Sequence, residues 1–412
     1  MKKSILGCAV AAVLVNASNT IAGGLWLNEY GDFSGGRASA GAGAGLDGAE
    51  SIIHNPASST RLKGNTLFAS GGVMVPDIKF DLDYTTPELG TGNGGQAGET
   101  PPGATAAYVY DLNSERWSTG LYMVGLAGAG LDYDDDWAGR YQATEVTVLL
   151  AAIVPTLAYK VTDRLSVGAG VQYWYSNLNV HMDLPHAEHD ADDLKASVNG
   201  DDTGFAFTLG TMYELTDRTR FGLTYQSEVK AKYDGDLKVV SPVGDPVPVD
   251  ISKGVSVKSE LDFAEFVRFA MHHRMDDKWA VNLTLGWDNW SQLGDVPLAT
   301  ASRGGSIPTK WRDTYHYAWG VEYQLDKRWA FTSGVSYDTN PVDKENRNAQ
   351  LPVDRQIHLA FGTRYAIKET LTVGGYVVYQ DLGKSRIASE NFGGQYRDNS
   401  VVALAANVNW TF

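Results

Sequence analysis

Carboxylates and imidazoles crowd one stretch of this 412-residue chain: His181, Asp183, His186, Glu188, His189, Asp190, Asp192 and Asp193. Such side chains ligate divalent cations. Their spacing matches no recognised metal site and the stretch is polar throughout, so it reads as solvated loop, with no metal centre and no cofactor. Asp132, Asp134, Asp135 and Asp136 form a second acidic group, of the kind that takes Ca²⁺ and would bridge to lipopolysaccharide at a cell surface. Hydrolysis would need a serine, a histidine and a third polar group brought together, and no such cluster falls on the apolar faces described below. A third pattern is cationic. Arg268 and His272, Arg312 and His316, and His358 and Arg364 alternate with apolar residues. A buried carboxylate ligand wants such a cation, best of all the two-pronged guanidinium. Arg268 is the favoured ligand candidate because Phe266 and Ala270 share its face; its alternative is to pair with an interior acid such as Glu228.

Elements with a side-chain period of two must hold these groups. In the last segment Val402, Leu404, Ala406, Val408, Trp410 and Phe412 are apolar, while the residues between them are small or polar. The same split separates Phe205, Phe207 and Leu209 from Ala206 and Thr208, and Tyr315, Tyr317 and Trp319 from His316 and Ala318. Short charged turns join strand pairs at 113–116, 162–164, 216–218, 276–278, 326–328 and 368–370. Longer polar connections fall near 76–102, 132–144, 181–202, 234–256, 291–310, 339–353 and 382–399. Six short turns alternating with seven long connections imply fourteen strands. That asymmetry, with an even count, is the pattern of an all-β, antiparallel transmembrane β-barrel of an outer membrane. Trp117, Trp279, Trp290, Trp311, Trp329 and Trp410 fall near strand ends, where a membrane interface favours amphipathic rings.

The composition agrees. Forty-nine Asp and Glu against 34 Lys and Arg give a net charge of −15, which argues against nucleic acid as a partner. A mean hydropathy of −0.23 excludes a bundle of apolar helices, each of which would need about 20 apolar residues. Lys2-Lys3, the apolar run from Ile5 to Val15 and the small residues before Gly23 read as a secretory signal over residues 1–22. The only cysteine, Cys8, leaves with it, so no disulfide is expected.

Residues 23–64 break the strand pattern. They are Gly- and Ala-rich through 35–45, helical in character from Asp47 to His54, and stopped by Pro56. A fourteen-strand barrel is wider than side chains alone can fill, since about eight strands already suffice for that. This segment is therefore expected to sit in the lumen, with residues 65–412 forming the barrel, which is expected to be monomeric. The order Gly24-Leu25-Trp26-Leu27-Asn28-Glu29-Tyr30, Gly36-Arg37-Ala38-Ser39-Ala40-Gly41, Asp47-Gly48-Ala49-Glu50 and Asn55-Pro56-Ala57 resembles the N-terminal hatch of FadL-type transporters. The similarity extends through Pro155 to Tyr159, Leu165 to Gly170 and Arg220 to Ser227 as far as Phe412.

The resemblance implies carriage of long-chain fatty acids or other hydrophobic compounds across a Gram-negative outer membrane. It implies capture by outer loops, an apolar pocket, hatch movement gated by Asn55, Pro56 and Ala57, and sideways escape through a gap in the wall. The third strand is the place expected for that gap: Gly120, Gly125, Gly128 and Gly130 weaken it, and Pro155 on the next strand cannot donate to the ladder. The same glycines would also serve ordinary curvature. Rival readings are uptake of monoaromatic hydrocarbons by the same route, a general porin, and an outer-membrane lipase.

Overall fold

The computed structural model describes residues 25–185, 193–240, 255–293, 295–300 and 304–412. The signal at 1–22 and the loop residues His186, Glu188, His189, Asp190 and Asp192 lie outside the described residues.

Alternation between a lipid-like and a packed environment produces strands, and fourteen of them close into an antiparallel barrel. They are β1 Thr66–Thr85, β2 Pro102–Tyr110, β3 Trp117–Asp132, β4 Glu145–Lys160, β5 Leu165–Leu184, β6 Leu194–Thr216, then β7 as Thr219–Gln226 and Val229–Val240. They continue with β8 as Val255–Phe263 and Phe266–Arg274, β9 Trp279–Asp288, β10 Thr314–Gln324, β11 Trp329–Asp338, β12 Gln356–Lys368, β13 Leu371–Asp381 and β14 Phe392–Thr411. β14 returns to β1 over Thr66↔Thr411 to Thr85↔Phe392, so no edge is left there to meet lipid. Along β6 the outward Phe205 is 74% exposed and the inward Thr208 only 3%.

All six short turns fall where the sequence placed them, but several strands run further outward than expected. β1 continues past Val75 to Thr85, β14 begins at Phe392, and the stretch 291–310 contains a hairpin of Asp295–Thr300 with Gly304–Pro308. Beyond the membrane both faces of a strand meet polar surroundings, so the hydropathy alternation fades while the hydrogen-bond ladder persists. Trp117, Trp279, Trp329 and Trp410 do face outward. Trp290 and Trp311 do not: they are buried against each other, ring centroids 5.4 Å apart, with Trp26 beside Trp290. Their connection folds inward over the break in β8, where a purely interfacial ring would remain outside.

Residues 25–61 lie inside the barrel as short turns: Phe33–Arg37, Ala42–Gly45, Ser51–His54 and Pro56–Arg61. The helix expected from Asp47 is a single turn. Phe33–Arg37 packs on β11, β12 and β13, Ala42–Gly45 on β7 and β8, and Pro56–Arg61 on β4, β5 and β6. Small residues on both sides permit this backbone-to-backbone approach: a Cβ at Gly334 would collide with the carbonyl of Arg37, and one at Gly222 with that of Gly43.

Candidate functional site

Pro56 has no N–H, so the turn Ser51–His54 stops and the chain restarts with proline at the first position of Pro56–Arg61. Asn55 caps that restart, its Oδ1 accepting from the Ala57 N–H at 3.0 Å. Its amide nitrogen donates to two carbonyls, Gly43 at 3.0 Å and Thr211 of β6 at 2.9 Å. One side chain thereby joins two parts of the N-terminal segment to the wall. Further ties are Arg37 to Glu322 at 3.1 Å, Arg61 to Glu214 at 2.9 Å, Arg220 to Asp47 at 3.2 Å, and His358 to Glu29 at 2.9 Å. Burial pushes the Asp47 carboxyl up, but Arg220 and Arg61 beside it more than reverse this and hold it below the usual carboxylate range.

The barrel wall is incomplete beside β3. β2 has only nine residues and pairs with β3 from Ala106↔Met123 to Tyr110↔Thr119. From Val124 to Asp132, β3 has no β2 partner. The N-terminal segment occupies part of that bare edge from inside: Trp26 bridges to Ala127, and the Leu27 N–H donates to the Leu126 carbonyl at 2.9 Å. Higher up, Gly98 bridges to Leu131. An apolar cavity, open in part to the exterior, lies in this breach between Gly71, Val73, Gly103 and Leu404 outside and Glu29 and Tyr30 inside.

Gly125 and Gly128 line that cavity, and the β3–β4 ladder shifts register between Gly125 and Ala127. Gly120 sits lower, against Ile52, and Gly130 higher, opposite Thr147. Pro155 lies on the other flank of β3, facing outward opposite Leu121, where the β4–β5 pairing lapses for two residues.

A second cavity lies within the lumen between the N-terminal segment and the wall. Tyr122, Leu126 and Phe266 supply apolar surface, Gln172, Gln226, Arg268 and His316 polar groups. Leu27 and Tyr30 line both cavities, with Glu29 facing the breach and Trp26 and Asn28 the lumen. Arg268 stacks over the Phe266 ring at 4.6 Å and pairs with Asp288 at 2.8 Å. Glu228 pairs instead with Lys230. His316 bonds Asp338 at 2.8 Å. His272 bonds Asn282 at 2.9 Å below the cavity, and Arg364 lies over Phe33 at 4.5 Å near Glu322.

Arg312 is a correction. It precedes β10, is exposed, and pairs with Asp343 at 2.9 Å, so it does not face the lumen; strand alternation cannot be extended past a strand's first residue. Asp183 and Asp193 converge on Arg140. Among the described residues no three His, Cys, Asp or Glu side chains form a metal-holding group. Sequence reasoning missed Asp288, Asp338 and Glu29, the acids that pair with Arg268, His316 and His358. Their signal was available only as register, because Asp288 ends β9 and Asp338 ends β11, both beside β10.

A sequence model of the family described as "Outer membrane protein transport protein (OMPP1/FadL/TodX)" matches residues 13–412. A long-chain fatty acid transport protein of Salmonella typhi is 27% identical over 403 residues, covering 92% of this chain and 91% of the relative. The crystal structure of a Pseudomonas aeruginosa FadL homologue superposes with a TM-score of 0.87 at 22% identity, covering 95% of this chain and 100% of its own. That of the Pseudomonas putida toluene transporter TodX gives 0.73 at 17% identity, covering 94% and 99%.

Proposed function

This chain belongs to the OMPP1/FadL/TodX family of outer membrane transport proteins, carriers of hydrophobic compounds, and we propose that its cargo is long-chain fatty acid released sideways through the wall. The observation that carries this reading is the upper half of β3, which lacks a β2 partner, with an apolar breach that shares Leu27 and Tyr30 with an inner cavity. A greasy solute that reached periplasmic water would lose the free energy gained on capture, whereas exit at the breach keeps it in apolar surroundings.

In this reading residues 23–64 are the hatch, and Asn55, Pro56 and Ala57 its fastening to β6. Movement of Trp26 to Tyr30 away from β3 joins the two cavities and bares the gap. Arg268 receives the carboxylate, exchanging Asp288 for the ligand, with His316 alongside. Gly125 and Gly128 keep side chains out of the path. A porin needs no such obstruction, and a lipase would need a nucleophile on the outer wall, so both rivals fit less well.

One observation favours a second cargo. Asp288 already neutralises Arg268, so a neutral monoaromatic hydrocarbon would meet no unbalanced charge in the cavity. Extraction of what co-purifies with the protein, identified by mass spectrometry, tests the class directly. Arg268→Ala separates the cargoes: it is expected to weaken fatty-acid binding about tenfold while sparing toluene. Equal loss for both removes Arg268 from headgroup recognition.

A further inference from the structure

Three of the short turns share a sequence that transport does not use: Ser114-Glu115-Arg116-Trp117, Asp276-Asp277-Lys278-Trp279 and Asp326-Lys327-Arg328-Trp329. In each, the first side chain accepts from the backbone N–H of both the cation and the tryptophan. Ser114 does so at 3.3 and 3.0 Å, Asp276 at 2.8 and 2.8 Å, and Asp326 at 2.7 and 2.9 Å. One oxygen of each of the Asp276 and Asp326 carboxylates is thereby bonded to backbone, and the cationic residue's backbone is held one residue before an outward ring.

Each tryptophan faces a tyrosine directly across the ladder, Tyr159, Tyr323 or Tyr365. The three ring pairs are nearly superposable, with centroids 4.6 Å apart in every case and planes at 45°, 41° and 47°. Arg116 donates to the Tyr159 hydroxyl at 3.2 Å, and Arg328 to that of Tyr365 at 3.2 Å. A hydroxyl that accepts from a guanidinium still has its own proton to donate. The remaining guanidinium N–H groups and that O–H are the donor set a phosphodiester oxygen requires, beside a flat apolar platform at the membrane boundary.

We propose that the three tryptophan-bearing turns are headgroup sites for glycerophospholipids of the inner, periplasm-facing leaflet. Each phosphodiester sits between the cation and the tyrosine hydroxyl, with the glycerol and first methylenes over the Trp–Tyr pair. The other turns supply a built-in contrast. Arg164 and Arg218 occupy the same place in capped turns, but Leu165 and Thr219 stand where the tryptophans would be, and Arg218 donates to the Met275 carbonyl.

Native mass spectrometry of the full chain in detergent, titrated with dioleoyl phosphatidylglycerol, reads the number of lipids retained. The parent is expected to keep up to about three, and R116Q/R328Q to lose about tenfold in the population carrying two or more, while R218Q matches the parent. Unchanged retention in R116Q/R328Q overturns the proposal. Dioleoylglycerol, which lacks the phosphate, and glycerol phosphate, which lacks the chains, are each expected to bind at least tenfold more weakly. Binding of either as tightly as phosphatidylglycerol overturns it as well, the first pointing to ring contacts alone and the second to a free phosphate site. Should R116Q/R328Q fail to assemble, Y159F/Y365F keeps both ring pairs and is expected to reduce retention about threefold; parent-like retention there has the same overturning force.

Discussion

Glu50 is the residue whose chemistry the interior most constrains. It is buried in the N-terminal segment, with no cation paired to it among the described residues. Its Oε2 has no hydrogen-bond partner, nor has Oδ1 of Asn409 on β14, and both atoms flank Gly48. Burial and the nearby Asp32 push the Glu50 carboxyl from 4.5 up to about 7. Between those values the folded segment binds more protons than the unfolded one, so stability from this group is full at low pH and falls as pH rises through about 7. Hydrogen exchange over residues 47–62, corrected for intrinsic rate, is therefore expected to be at least tenfold less protected at pH 8.5 than at pH 5.5. Glu50→Gln is expected to abolish that difference. A parent with flat protection across this range would show that Glu50 is ionised throughout.

At the scale of elements, the shortness of β2 sets where the proposed lateral route would cross the wall. This strand stops at Pro102 while β1 and β3 continue, and nothing occupies the space where a side chain on Gly103 would lie. Gly103→Phe should thus be tolerated by the fold yet fill the breach, and fatty-acid uptake is expected to fall about tenfold or more with normal heat-modifiable migration of the barrel. Undiminished uptake in an assembled Gly103→Phe protein would move the exit elsewhere. On the proposed route, Asn55→Ala acts at the other end. It leaves the carbonyls of Gly43 and Thr211 without that donor, a loss of about 0.5–1.5 kcal/mol for each hydrogen bond. The segment should loosen while the β-ladders, which Asn55 does not enter, assemble as before, and uptake should fall severalfold. Strand number and short turns were legible because the bilayer imposes a strict apolar alternation. The breach was legible only in part. Glycines in β3 mark a weak strand, but its lost partner follows from the shortness of β2, and no residue type encodes that. Arg268 was legible as an inward cation, whereas its pairing with Asp288 rather than Glu228 depends on register between β8 and β9 that hydropathy cannot supply.

For the whole molecule, the question is whether the inner segment holds the barrel together or merely occupies it. The ladder closes through β1 and β14 without any N-terminal residue, and Phe412 and Asn65 exchange backbone hydrogen bonds at 2.9 and 3.1 Å beside the closure. The wall that the segment covers is mixed: Glu214, Arg220, Glu322 and Arg364 turn inward as groups that water would solvate readily, while Phe68, Val109, Tyr122 and Val124 pack against Leu25, Trp26 and Ile52. Removing the segment exchanges these ion pairs for hydration and forfeits the apolar contacts, but it breaks no rung of the β-ladder that closes the barrel. A chain lacking residues 25–61 is thus expected to insert as a closed barrel and, in planar bilayers, to conduct ions ohmically at several times the parent's conductance. The breach should then no longer confer selectivity, since cargo and ions alike would pass along the axis. If that variant assembles and remains as resistive as the parent, the obstruction lies in the outer connections, and residues 25–61 serve a role other than closing the lumen.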